Sequence, residues 1–197
     1  MRLTPRAREF PAGLPAVLAR LGDPDLGIQL AQTSGDPAYS AEALTEVAVV
    51  LVAAGRTDQA QATLDLITDP ALKAGAQCGL AVALAAAGDT TQARKTVDQI
   101  PEPWRRDLAL QGVAEALADA RHIAQAQDTV DQIIDPGRRD EAIGRVAVAL
   151  AATGHTTPAL ETINQIGGAW SKDVALKGVV AALVAPGTPL TLARPLA

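Results

Sequence analysis

A single glycine column constrains this chain more than any other feature. Stepping by 33 residues from Gly22 gives Gly55, Gly88, Arg121, Gly154 and Gly187, so glycine stands at five of six positions. Other columns keep the same period: small residues at Ala60, Ala93, Ala126 and Ala159, and leucine at Leu51, Leu84, Leu117, Leu150 and Leu183. Isoleucine recurs at Ile67, Ile100, Ile133 and Ile166, followed by a turn at "TDP" (68–70), "PEP" (101–103) or "IDP" (134–136). "LAAAGDTTQA" (84–93) and "LAATGHTTPA" (150–159) are one segment written twice, two periods apart. A chain that repeats in this way builds one local unit several times and buries its apolar faces by stacking the copies.

Within a unit the apolar columns fall at helical spacing. Ala109, Leu110, Val113, Ala114 and Leu117 form one buried stripe, and Ile123, Ala126, Val130 and Ile133 form another. Glycine at the anchor ends the first helix in a left-handed cap. Thr57, Thr90 and Thr156 are placed to cap the second, and Pro37, Pro70, Pro103 and Pro136 keep it from running on. The unit is thus read as a helix of about 14 residues, a tight turn and a helix of about 11. Apolar residues make up 48% of the chain but aromatics only 2%, so the core is built largely from alanine, which favours closely spaced helices over a sheet. The expected fold is all-α: a right-handed superhelical solenoid of stacked antiparallel helix hairpins, about five units of 33 residues. It is expected to occupy residues 17–190 as one domain, after an extension over 1–16 and before a short tail over 191–197.

Composition narrows the function classes. A net charge of −5 argues against a nucleic-acid partner, which draws on a basic surplus. The single cysteine, Cys78, allows no internal disulfide and no cysteine-based metal cluster. No apolar run approaches the ~20 residues that span a bilayer, and Pro11, Pro15 and Arg20 interrupt any signal-like stretch. The expectation is a cytoplasmic protein with no cofactor, no metal and no membrane partner.

The segment "VALAAAGDTTQARKTVDQI" (82–100), with "ITDP" and "IIDP" supplying the unit's ending, resembles the tetratricopeptide repeat. The resemblance covers roughly residues 17–190. It departs from the family in its period, 33 residues against about 34, and in carrying leucine at the family's Trp and Tyr columns. Ankyrin units share the shorter period, and "GTPLTLA" (187–193) imitates their opening, but only once, and the first helix is too long for them. The resemblance implies a protein-interaction scaffold whose first helices line a concave face. Carried over position by position, that face takes Glu42, Gly75, Leu108, Glu141 and Val174; Thr45, Cys78, Gln111, Gly144 and Lys177; and Val49, Val82, Glu115, Val148 and Ala181. Two further columns are Val52, Ala85, Ala118, Ala151 and Val184, and Ala53, Ala86, Asp119, Ala152 and Ala185. Such a face is unusually apolar. It either draws the helices together until they nearly fill the groove, or takes an amphipathic segment or an apolar small molecule.

Other candidates were weighed on their chemistry. Lys73, Arg105, Arg106, Arg138, Arg139 and Lys172 make a basic strip along the turns, beside Asp107, Asp140 and Asp173. Alternating signs suggest a solvated ladder of inter-repeat ion pairs; the sharper reading is a docking strip for an acidic partner. His122 and His155 are one period apart, but stacked helices stand ~8–10 Å from one another and zinc ligands must each come within ~2.1 Å of one ion, so an exposed-loop role is expected. Trp104 and Trp170 share a column and are expected to plug the start of a first helix, with an aromatic partner anchor as the other reading. No catalytic constellation stands out, Glu115 and Asp119 being the only close acidic pair facing inward. The expected function is non-enzymatic binding of a protein or peptide partner, or of a small hydrophobic ligand in the same groove. The apolar helix at 173–185 suggests a homodimer.

Overall fold

The computed structural model describes Pro11 and residues 13–185, and among them the only regular structure is helical. Helices α3 (Pro37–Ala53), α5 (Pro70–Ala86), α7 (Pro103–Asp119) and α9 (Pro136–Ala152) are each 17 residues long and begin one period apart. Their prolines therefore start the following helix as well as stopping the previous one. At the first helical position the missing N–H has no helical partner to lose, and the fixed φ is already helical. The acid before the proline completes the start: Asp36 accepts from the Ala38 N–H, Asp69 from Ala71 and Leu72, and Asp135 from Arg138. Glu102, one methylene longer, makes no side-chain cap bond. Helix α11 (Ala169–Val184) starts in the same register behind Gly168, which has no side chain to cap it.

The glycine column does what its period implies. Gly22, Gly55, Gly88 and Gly154 all have φ between 73° and 99°, the left-handed region that glycine enters without a Cβ clash. Arg121 stands in the same place with φ 66°, the one non-glycine residue of positive φ among the described residues. Four of these turns are locked by the N–H of the next residue reaching back to the leucine column: Asp23 to Leu18, Arg56 to Leu51, His122 to Leu117 and His155 to Leu150, at 2.8–3.0 Å. This is the 6→1 bond of a Schellman cap.

The second helices are α2 (Pro24–Gln32), α4 (Thr57–Asp65), α6 (Thr90–Asp98), α8 (Ile123–Val130) and α10 (Thr156–Ile163), and α1 (Leu14–Arg20) precedes them. They run 8–9 residues, shorter than the spacing suggests, because the isoleucine column lies past the helix end. Ile67, Ile100, Ile133 and Ile166 remain buried, held in the connection by bonds from their N–H to the carbonyl three residues back. Thr57 and Thr156 are the first helical residues, not the caps; Arg56 and His155 precede them and make no side-chain cap bond. One buried polar column recurs without interruption: Thr63, Thr96, Thr129 and Thr162 each donate from Oγ1 to the carbonyl four residues earlier at 2.7–2.8 Å. The hydroxyl is thereby satisfied inside its own helix.

The chain divides into two compact units, one of residues 1–87 with 91–101, the other of 88–90 with 102–197. In the first, α1 packs on α2 and α3, and α3 on α4 and α5. In the second, α7 packs on α8 and α9, and α9 on α10 and α11. Each unit is thus a set of helices packed against near neighbours in sequence, compatible with a helical repeat. Ala48, Ala81, Ala114 and Ala147, one column, are fully buried, which is what lets the helices approach. Helix α1 begins at Leu14, inside the segment expected as an extension. The tail over 191–197 and Gly187 lie outside the described residues.

Candidate interaction surfaces

Two grooves, one in each compact unit, are built from the same columns. The first, of about 760 Å³, lies along α1, α3 and α5; α3 and α5 line it with Ala38, Ala41, Glu42, Thr45, Glu46, Val49, Leu72, Gly75 and Ala76. The second, of about 800 Å³, lies along α9 and α11, and includes Gly137, Asp140, Glu141, Gly144, Arg145, Val148, Ser171, Val174 and Ala175. Each residue of the second set stands 99 positions, three periods, after its counterpart in the first. Both are open troughs rather than closed cavities.

Close helix packing shapes the second groove. A Cβ on Gly178 would fall 2.7 Å from Cγ2 of Val148, and one on Gly144 would fall 3.2 Å from Cβ of Ala175. These glycines let α9 and α11 approach so closely that Val148 and Val174 form a shallow apolar floor. Trp170 stands at one end with 78% of its surface exposed. Trp104 is 57% exposed, with the Arg105 guanidinium 4.9 Å from its ring centre. Neither tryptophan plugs a packing gap, because at the first turn of its helix the side chain stands clear of the neighbouring helices.

The structure sorts the expected groove residues into four groups, the last of them a polar chain. Val49 and Val148 line the two grooves, together with Glu42, Thr45, Gly75, Glu141, Gly144 and Val174. Cys78 and Val82 are half-buried, and Lys177 is exposed and paired with Asp173 at 2.6 Å. Val52, Ala85 and Ala118 are core residues and cannot meet a partner. They fall in the last turn of their helices, where the chain doubles back and covers that column.

Gln111 and Glu115 belong to a polar chain between α7 and α9. Arg138 donates from Nη1 to Oε1 of Gln111 at 3.2 Å, and Gln111 donates from Nε2 to Oε1 of Glu115 at 3.2 Å. Arg145 then reaches Oε2 of Glu115 at 4.0 Å and Oδ2 of Asp119 at 3.9 Å. The inward-facing acidic pair noted in the sequence is therefore met by a cation. Arg145 is the residue that column reading passed over. Its column reads Glu46, Gly79, Gly112, Arg145, Gly178, so charge enters it only at the two grooves, and with opposite sign.

Three cations along the basic strip have polar partners of their own. Arg139 pairs with Asp131 at 3.0 Å, Lys73 with Asp65 at 2.8 Å, and Lys172 donates to Asn164 at 3.1 Å. All three span eight residues, from the end of a second helix to the first turn of the next helix. Arg105 and Arg106 are half-buried. Two of the three acids beside the strip differ from the solvated ladder expected of them. Asp107 is 5% exposed and accepts from the N–H groups of Ile134 and Asp135, while Asp140 accepts from those of Gly167 and Gly168. They anchor the connection one period ahead, because a carboxylate with two oxygens matches two successive N–H groups that the connection would otherwise leave unbonded.

His122 and His155 precede α8 and α10, and Nδ1 of His155 lies 2.8 Å from Oγ1 of Thr153. Among the described residues no three His, Cys, Asp or Glu side chains gather as a metal site would require. Nor is any described helix long and apolar enough to cross a membrane.

Comparison with known proteins finds no match to this chain, whether among family models, curated proteins or solved structures.

Proposed function

We propose that this chain is a tetratricopeptide-like interaction module, not an enzyme, and that each groove takes a segment of a protein partner. One observation carries the reading. Nine columns line both grooves, 99 residues apart, and in six of them the two residues differ in charge or size. A repeat array keeps the position of its binding surface and changes the chemistry upon it. In the first groove Glu42 and Glu46 flank Val49, which suits a segment with a basic residue beside an apolar one. In the second, Arg138 and Arg145 stand with Val148, Val174 and Trp170 in a lining that also holds Asp135, Asp140 and Glu141, which suits an apolar or aromatic residue between charges of both signs. The troughs are open along the helices, a shape that fits a chain segment better than an enclosed small molecule. The net charge of −5 supports a protein partner over nucleic acid.

The test is selection from a displayed random-peptide library against the full chain, with Val49→Arg and Val148→Arg as comparisons. Each substitution should remove one class of enriched peptide and leave helicity intact. Enrichment that ignores both changes sinks the reading. A small molecule retained in the native mass spectrum and lost on Val148→Arg would favour an apolar ligand in its place.

A further inference from the structure

Helix α11 leaves open a face that its counterpart in α9 buries. Ile143, Ala147 and Ala151 are core residues of α9, which is covered by α10 and α11. One period on, Leu176, Val180 and Val184 are 38%, 58% and 78% exposed. In the middle of this face Asp173 and Lys177, one turn apart, form an ion pair of 2.6 Å with both side chains largely in solvent.

We propose that this face binds a second copy of the chain, α11 against α11 in antiparallel. The charges argue for it. About a two-fold axis near residue 175, Asp173 of each copy lies opposite Lys177 of the other, so one pair of charges serves both copies. The same axis sets Trp170, which stands at the end of the second groove, against Val180, both of them exposed. An isologous contact needs such a self-complementary pattern, with large apolar residues flanking the charges.

Two observations weigh against the chain's own residues 186–197 as the occupant. The column that reads Ala48, Ala81, Ala114 and Ala147 becomes Val180 only in α11, so a second helix seated as α10 is on α9 would meet two extra methyl groups. The threonine column of the second helices, Thr63 to Thr162, becomes Pro195, which lacks the N–H that a helix interior needs.

The experiment is sedimentation velocity on the full chain across a wide concentration range, with circular dichroism on every variant. A reversible monomer–dimer equilibrium is expected. Val180→Arg should weaken the dimer at least about tenfold. Lys177→Asp and Asp173→Lys should each weaken it by placing like charges opposite one another, and the double exchange Asp173→Lys with Lys177→Asp should restore it. This rescue is independent of whether Val180→Arg folds. A dimer indifferent to Val180→Arg and to the charge changes lies on another face, and overturns the proposal. So does a chain that stays monomeric throughout; if Val180→Arg then lowers its Tm, the face belongs to residues 186–197. The readout is self-association alone, so its failure leaves the groove reading untouched.

Discussion

Oδ2 of Asp107 lies 2.8 Å from the backbone nitrogen of Asp135, 28 residues further along the chain. With Oδ1 on the Ile134 N–H at 3.1 Å, one buried carboxylate ties α7 to the connection that leads into α9. The corresponding column is Ala41 and Ala74 in the first compact unit and Asp140 and Asp173 in the second, of which Asp140 makes the same pair of bonds. The repeat thus stacks in two ways, by small residues alone and by small residues with a carboxylate clamp.

Replacing Asp107 with Ala strips two N–H groups of their acceptor. A loss of about 2–4 kcal/mol is expected, since bonds to a charged group carry ~1.5–3 kcal/mol and the abandoned donors lose more. Asp107→Asn should fall between, because its amide NH₂ meets one of those donors with another donor. Urea unfolding checks both; a loss below about 0.5 kcal/mol for Asp107→Ala would mean that the clamp does not bear on stability.

Arg121 holds the left-handed turn that glycine holds at four other described anchors. Arg121→Gly should stabilise the chain by about 0.5–1 kcal/mol, while Gly154→Ala, which forces a Cβ into the same conformation, should cost about 1 kcal/mol. Thermal unfolding of the two variants should move Tm in opposite directions. A fall in Tm for Arg121→Gly would show that the side chain contributes more than the turn costs.

Two helical glycines should respond to alanine with opposite signs. At Gly75 a Cβ meets nothing within 4 Å, so Gly75→Ala should gain about 0.5–1 kcal/mol from helix propensity alone. At Gly178 the same atom would stand 2.7 Å from the stiff, branched side chain of Val148. Overpacking there costs about 1–3 kcal/mol and should outweigh the propensity gain. If both variants are stabilised, α9 and α11 are free to move apart.

Arg145 and Glu46 occupy one column with opposite charge. Arg145→Glu should shift the peptides selected by the second groove toward basic residues, with a change in affinity of about tenfold that weakens as salt rises. Unchanged selection would show that Arg145 serves only to hold Glu115 and Asp119.

Much of this architecture is local, and for that reason it was legible in the sequence. A proline at the first helical position, an acid before it, a glycine past the helix end and leucine four residues before that glycine act within a few bonds of one another. The starts of α3, α5, α7 and α9, and the turns at Gly55, Gly88 and Gly154, therefore follow from the 33-residue period. The groove columns at Glu42, Thr45 and Val49 followed from the family resemblance. Tertiary packing decided what depends on a neighbour a full repeat away. It buried Val52, Ala85 and Ala118, turned Asp107 from a surface ion into a clamp, left Trp170 exposed and set Arg145 against Glu115. Column spacing gives the direction of a side chain about its own helix axis. Whether that direction ends in water, in another helix or on an unpaired N–H depends on how closely the helices pack, and here alanine and glycine set that distance.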